Sequence, residues 1–225
     1  MQDVHSAAPK FQFVLGSQSP RRKELLGHLN IPFIQLSADI DEVSTFKDPA
    51  QIVEDLAAQK GKSVANQLHK NDKEFKNPFI LSSDTIVCLK DEILGKPQNS
   101  DQARETLLKL SGKTHTVYTG VSLRYWHPLF GESEQIKNFH SATDVTFGQI
   151  DEETLELYLE TGDSLDKAGA YGIQGMGLSF IKSIKGSYST VVGLPLADVS
   201  EKLAEILGPY PESGGWRGWF TNPRD

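Results

Sequence analysis

The sequence contains little cysteine and no long hydrophobic run. Cys88 is the one cysteine among 225 residues, which excludes an internal disulfide framework and a cysteine-cluster metal site. No apolar segment approaches the ~20 residues that a membrane-spanning helix needs. Residues 1–10 show no basic segment followed by an apolar one, so no secretory signal is visible. These absences predict a cytoplasmic protein with no membrane partner.

Basic residues are in the minority, and several familiar catalytic patterns are missing. Asp and Glu outnumber Lys and Arg by 30 to 23, whereas proteins that bind a duplex usually carry a basic surface. No stable nucleic-acid partner is therefore expected. The six histidines have no zinc-ligand spacing, and no local histidine supports Cys88 as a nucleophile. The Walker sequence Gly-x-x-x-x-Gly-Lys-Ser/Thr does not occur either.

The chain does contain an alternation of strand and helix patterns. A first apolar run, at 11–15, ends at Gly16, and Ser19 followed by Pro20 marks the start of a helix. Later patterns predict strands at 79–89, 114–125 and 142–147, and helices at 49–68, 100–112, 151–162 and 198–207. This order predicts a mixed α/β fold. We expect one domain at 11–208, an N-terminal lead-in at 1–10 and a loose or surface-docked C-terminal extension at 209–225.

The junction between the first strand and the first helix has the chemistry of a phosphate site. A helix N-terminus offers unpaired N–H groups and the positive end of a dipole. Arg21 and Arg22 add guanidinium groups that fit phosphate oxygens, and Ser17 and Ser19 add hydroxyl donors. The same residues also suit an ordinary helix cap with two solvated arginines that pair with nearby acids. The local sequence leaves both interpretations open.

Other ionisable residues stand where ordinary structure does not need them. Asp84 lies inside an apolar run, where a carboxylate is costly unless it binds a metal, pairs with a cation or performs acid–base chemistry. The alternative is an aspartate that caps a turn. Lys60 lies on the apolar stripe of a helix and Lys96 in a Gly-Lys-Pro loop, although a snorkelling stem and an exposed loop lysine are the favoured explanations for each residue taken alone. The acidic residues around Glu42 suit a hard cation such as Mg²⁺ or form a solvated loop. Together these residues predict phosphoryl or nucleotidyl chemistry.

Eight motifs resemble, in order, those of the Maf family of nucleoside triphosphate pyrophosphatases. They are Ser17-x-Ser19-Pro20-Arg21-Arg22-x-Glu24-Leu25-Leu26, Asp41-Glu42, Lys60, Ser83-Asp84-Thr85, Gly95-Lys96-Pro97, LSGKTH at 110–115, KAGAYGIQG at 167–175, and Gly186-Ser187-Tyr188 with VGLP at 192–195. The resemblance extends over residues 12–207. It implies an elongated mixed-sheet α/β fold with two lobes around a central cleft, similar to that of the inosine triphosphatases.

The resemblance also implies a reaction and a role for each matching residue. Maf proteins hydrolyse a nucleoside triphosphate to the monophosphate and pyrophosphate, with Mg²⁺ or another divalent cation such as Mn²⁺. Asp84 is implied as the proton acceptor for the attacking water. A carboxylate beside Mg²⁺ is a weak base, so a role as metal ligand stays open. The implied phosphate-binding residues are Ser17, Ser19, Arg22, Lys60 and Lys96, and the implied metal ligands are Glu42 and Asp84. Many members form dimers, so a homodimer is also expected.

Three positions distinguish subgroups of the family. Arg21, Thr85 and Gln174 match the members that act on dTTP and UTP, whereas members that act on 7-methyl-GTP have tryptophan and glutamates there. A neutral amide can donate to and accept from a pyrimidine edge, while a carboxylate prefers the N–H donors of guanine. We expect hydrolysis of dTTP and UTP, together with modified pyrimidine nucleotides. The alternatives are another modified nucleotide such as 7-methyl-GTP, and a non-catalytic regulator of septum formation.

Overall fold

A computed structural model describes residues 10–70, 75, 77–127, 131–211 and 213–221. The strands are β1 Phe11–Gly16, β2 Ile34–Leu36, β3 Pro78–Leu89, β4 Glu92–Leu94, β5 Thr114–His127, β6 Gly131–Phe147, β7 Ile181–Lys185 and β8 Phe220–Thr221. The helices are α1 Pro20–Gly27, α2 Pro49–Lys70, α3 Ser100–Leu110, α4 Glu152–Glu160, α5 Tyr188–Val192 and α6 Leu196–Leu207. Short 3-10 turns lie at Ala168–Ala170, Gly175–Phe180 and Trp216–Trp219. None of the helices within these described ranges is long and apolar enough to cross a membrane.

The strands form one mixed sheet, and its main path runs in the order β2-β1-β3-β5-β6-β7. Strand β1 is parallel to β2 and β3, whereas β3, β5, β6 and β7 are successive antiparallel neighbours. Helix α2 packs across β3 and β5. The mixed α/β fold that the sequence predicts is confirmed.

A gap opens along one edge of β3. Strand β5 pairs with almost the whole of one edge, and on the opposite edge β1 pairs with residues 78–81 while β4 pairs with residues 87–89. Among the described strands, none pairs with residues 82–86 on that second edge. The middle of a central strand is therefore open to a cleft, and Asp84 lies at its centre.

Two apolar clusters pack on either side of this gap. One cluster joins β1, α1 and α6 through residues that include Leu26 and Leu203. The other joins α3 and α4 through residues that include Leu107 and Leu155. A third, smaller cluster contains Val64 and covers the face of the sheet that packs on α2. The first two clusters are the two lobes, and the gap in β3 lies between them.

Helix α2 packs directly against the backbone of the sheet because glycine stands at the points of closest contact. A Cβ atom on Gly120 would lie 2.2 Å from the carbonyl oxygen of Val53, and one on Gly61 would lie 2.8 Å from Ser82 Oγ. Gly120 is also the register partner of Asp84 on the neighbouring strand. The two glycines thus allow α2 to approach the sheet at the level of Asp84.

Strand β6 begins earlier than the sequence predicts. The hydrophobic pattern predicts a strand at 142–147 after a hydrophilic connection, whereas β6 begins at Gly131. Its first half pairs with β5, with Gln135 opposite Tyr125 and Ser141 opposite Thr119. Ladder hydrogen bonds hold this half even though most of its side chains are polar and at least partly exposed. Pro128, which the prediction placed in the connection, lies outside the described residues.

The C-terminal residues pack into the first core cluster, so the expectation of a loose or surface-docked segment is wrong for its described part. Phe220 and Trp219 are buried, and β8 pairs with β1 in parallel. Arg217 Nε donates to the carbonyl oxygen of Leu29 at 2.7 Å, and Trp219 Nε1 donates to that of Gly208 at 3.2 Å. Burial of the aromatic side chains and pairing with β1 hold this C-terminal segment in place. Its sequence has no helical or strand periodicity from which this could be predicted. A domain boundary at residue 208 stays a prediction.

Candidate active site

The structure brings the predicted site residues together around the gap in β3. Residues from both lobes line one cleft, which has a cavity volume of about 170 Å³ and is partly open to solvent. The predicted residues that line it are Ser19, Arg21, Arg22, Glu42, Lys60, Asp84, Thr85, Lys96 and Gln174. Ser17 lines an adjoining part of the same cleft, next to the start of α1.

The start of α1 forms one wall of the cleft. Ser19 is the N-cap residue, and its hydroxyl accepts a hydrogen bond from the Arg22 N–H at 3.4 Å. The buried Ser17 hydroxyl accepts from the Ser19 N–H at 3.2 Å. Both serines therefore shape the turn that presents the helix N-terminus, where the dipole favours an anion. The helix cap and the phosphate site were alternative interpretations of these residues. The same turn is compatible with both.

Arg22 is a fixed cation that links three parts of the cleft. Its Nε donates to the carbonyl oxygen of Gly193 at 2.8 Å, its Nη2 to Thr85 Oγ1 at 3.0 Å and its Nη1 to Ser17 Oγ at 3.4 Å. Burial lowers the pKa of Arg22, and the nearby charge of Asp84 opposes that shift. The interpretation of Arg22 as a freely solvated arginine is therefore wrong.

Lys60 lies between two carboxylates. Its Nζ hydrogen-bonds to Asp84 Oδ1 and lies 2.8 Å from Glu42 Oε1. Lys60 and Asp84 are buried, whereas the Glu42 side chain is about half exposed. Burial raises the pKa of Glu42, but the hydrogen bond and charge of Lys60 and the charges of Lys96 and Arg22 outweigh it, so the pKa is lowered. Lys60 does not snorkel to the surface, because its ammonium group is held in the cleft.

The cleft also contains a charged group, Arg21, Asp166 and Lys167, whose acidic member sequence analysis did not identify. Arg21 Nη1 donates to Asp166 Oδ2 at 3.1 Å, and Lys167 Nζ donates to Asp166 Oδ1 at 2.6 Å. Arg21 and Asp166 belong to opposite walls of the cleft and are 145 residues apart in the chain. Asp166 and Lys167 lie next to or inside a motif that the resemblance used, but no local pattern indicates that they pair with the first helix.

The donor set fits a hard divalent cation that the substrate also binds. Glu42 and Asp84 converge on the same ammonium group, and Mg²⁺ is usually held by one or two carboxylates together with phosphate oxygens and waters. Within the described ranges, no group of three or more His, Cys, Asp or Glu side chains could hold a metal ion. Glu42 and Asp84 could therefore supply only part of a coordination shell.

In chemical terms this is a hydrolytic site for a polyanion, carried on a mixed α/β fold. Five cationic side chains, three carboxylates and a helix N-terminus line the cleft, which provides both anion binding and acid–base or metal-binding groups. Comparison with known proteins defines the class more narrowly. The family of Maf-like proteins matches residues 12–206, and the chain belongs to the Maf family.

Sequence relatives align along almost the whole of their own length. The chain is 43% identical over 196 residues to a dTTP/UTP pyrophosphatase from Bacillus cytotoxicus, with 87% of this chain and 95% of that protein covered. It is 38% identical over 201 residues to a dTTP/UTP pyrophosphatase from Agathobacter rectalis, with 87% and 97% covered. Among solved structures it is similar to a HAM1 protein from Coxiella burnetii, with a TM-score of 0.46, 13% identity and coverage of 87% of this chain and 99% of that one.

Proposed function

We propose that the protein hydrolyses dTTP and UTP to the nucleoside monophosphate and pyrophosphate. The observation that carries the proposal is the position of Lys60, which joins Asp84 and Glu42 beside the helix N-terminus and Arg22. A triphosphate carries several negative charges, and this cleft concentrates cations where those charges would lie. The relatives named dTTP/UTP pyrophosphatase support the same reaction. We also propose a cytoplasmic location, because the one cysteine is free and buried.

The residues of the cleft then divide into groups with different roles in the reaction. The N–H groups at the start of α1, with Ser17, Ser19 and Arg22, hold phosphate oxygens. Lys60 and Lys96 stabilise the charge that develops on the phosphates as the bond breaks. Asp84 orients the attacking water and accepts its proton.

Two carboxylates are the proposed ligands of a divalent cation. Glu42 and Asp84 would hold Mg²⁺, or Mn²⁺ in its place, and such an ion supplies charge neutralisation and orientation of the triphosphate. Lys60 bridges the same two carboxylates in this structure. Its ammonium group is therefore also placed to move toward the phosphates when the complex forms.

We propose that the nucleotide base is selected by Arg21, Thr85 and Gln174. Arg21 and Gln174 both line the cleft, so both can face a single nucleotide. The Thr85 hydroxyl accepts a hydrogen bond from Arg22 Nη2 and lies 3.0 Å from Thr119 Oγ1, so it is held beside the phosphate-binding cation. The Gln174 amide can donate and accept, and this suits the alternating carbonyl and N–H groups of uracil and thymine.

The substrate proposal is tested by steady-state kinetics with UTP, dTTP, GTP and 7-methyl-GTP in the presence of Mg²⁺. The wild-type kcat/KM is expected to be highest for UTP and dTTP. In Gln174→Glu, a carboxylate faces the pyrimidine carbonyl, and kcat/KM for UTP should fall about tenfold or more. Gln51→Glu makes the same change at an exposed position of α2 and should leave the profile unchanged. An unaltered ratio of UTP to 7-methyl-GTP activity in Gln174→Glu would remove the role of Gln174.

A further inference from the structure

The wall of the cleft that carries Gln174 has little regular structure of its own. We call residues 166–174 the base wall, because most of them line the cleft. Its one regular element is the 3-10 turn at Ala168–Ala170. Backbone ladders therefore do not determine where Gln174 lies, and other contacts must hold the wall in place.

One buried tyrosine binds the backbone of the base wall. Tyr158 of α4 is fully buried, and its hydroxyl oxygen accepts a hydrogen bond from the Gly172 N–H at 3.1 Å. The same hydroxyl lies 3.4 Å from Asp163 Oδ2, to which it donates. The Tyr158 ring packs edge-on against Phe180 at 5.0 Å between centroids. The ring is thus fixed by packing, and its hydroxyl fixes a backbone position two residues before Gln174.

A second buried pair holds the neighbouring side chain. Tyr171 Oη and His115 Nε2 are 2.8 Å apart, and both residues are buried, with Phe147 packed edge-on against both rings. Burial lowers the pKa of His115 to about 4, and the charge of Asp144 opposes that shift. His115 is therefore neutral near pH 7, and the pair forms a hydrogen bond between two uncharged groups. Neither His115 nor Tyr158 lines the cleft.

We propose that Tyr158 and His115 are positioning residues for base selection, which hold the base wall so that Gln174 meets the pyrimidine in one fixed orientation. The inference rests on the proposed function, since it concerns the same cleft. The two anchors reach the wall at Gly172 and Tyr171, adjacent positions, from two different elements, α4 and β5. If the anchors were lost, the triphosphate would still bind to α1, Arg22 and Lys60, because none of these groups belongs to the base wall.

The first test is Tyr158→Phe, which removes one hydroxyl and keeps the ring. We expect KM for UTP to rise about fivefold to tenfold, kcat to change less than twofold and the preference for UTP over GTP to fall about fivefold to tenfold. Tyr118→Phe, outside the cleft on β5, is the matched control and should leave all three values unchanged. Thermal unfolding of both variants shows whether they remain folded at the assay temperature.

The second test uses two replacements of His115. His115→Gln keeps a side-chain amide that can hydrogen-bond to Tyr171 Oη, and it should retain most of the UTP preference. His115→Leu lacks such a group and should lose it as Tyr158→Phe does. A loss of kcat with unchanged KM and base preference, in either Tyr158→Phe or His115→Leu, would overturn the inference. So would variants that match the wild type.

Equilibrium binding separates this inference from the proposed reaction. Isothermal titration calorimetry with UTP and GTP in the presence of Ca²⁺ compares the same variants without requiring turnover. Absence of UTP hydrolysis by the wild type would contradict the proposed function alone. Equal ratios of UTP to GTP affinity in the wild type, Tyr158→Phe and His115→Leu would contradict the positioning role alone.

Discussion

Asp84→Asn should reduce kcat for UTP by about 10³-fold or more at saturating Mg²⁺. The substitution preserves the shape of the side chain but removes the charge, so it can neither accept the proton of water nor balance Lys60. Asp84 is buried and hydrogen-bonded to Lys60, which places the carboxylate at the centre of the cleft. Initial rates measured with a coupled pyrophosphate assay give the value directly.

Asp91→Asn is the matched control, because Asp91 lies exposed in the turn between β3 and β4. Its activity should stay within twofold of the wild type. Raising the Mg²⁺ concentration should not restore Asp84→Asn if the carboxylate accepts a proton, whereas recovery with Mg²⁺ would assign Asp84 to metal binding alone. Activity within tenfold of the wild type would remove Asp84 from the reaction.

Lys60→Met should lower kcat/KM for UTP by about 10²-fold to 10³-fold, the cost of removing one preorganised charge from a transition state. It should also lower the free energy of unfolding by about 3 kcal/mol, because it leaves the buried Asp84 carboxylate without its cation. Methionine preserves the length and apolar character of the stem, so the packing of α2 is largely kept. Urea unfolding and initial rates on the same preparation separate the two effects.

Lys62→Met is the matched control for Lys60→Met. Lys62 lies two residues further along α2 and is exposed, so both its activity and its free energy of unfolding should be close to those of the wild type. If Lys60→Met and Lys62→Met had equal activity, the bridge between Glu42 and Asp84 would have no catalytic part.

Local sequence signals predicted the elements whose physical causes are local. The helix start at Ser19 and Pro20 is confirmed, because capping depends on residues within one turn. Lys60 was recognisable as a misfit on the apolar stripe of α2. The helical spacing of the apolar residues predicted that Lys60 lies on the buried face of α2, and it is buried. A buried lysine needs a partner.

The remaining features depend on contacts between distant parts of the chain. No local pattern shows that Asp166 reaches Arg21, because that contact joins the two lobes. Nor does one show that Tyr158 and His115 contact residues 171 and 172, because those contacts join separate elements within one lobe. The polar first half of β6 was assigned to a connection, since its partner strand rather than its composition makes it a strand. The burial of the C-terminal aromatic residues was not predicted either, because it depends on packing against β1.

The most direct test of α–β cleavage is the identification of the products from UTP and Mg²⁺. Ion-exchange chromatography resolves UMP, UDP and UTP, and a phosphatase-free assay measures pyrophosphate in the same samples. One UMP and one pyrophosphate should form for each UTP consumed, with no UDP at any time. UDP with inorganic phosphate would show cleavage between the β and γ phosphates and would contradict the proposed function.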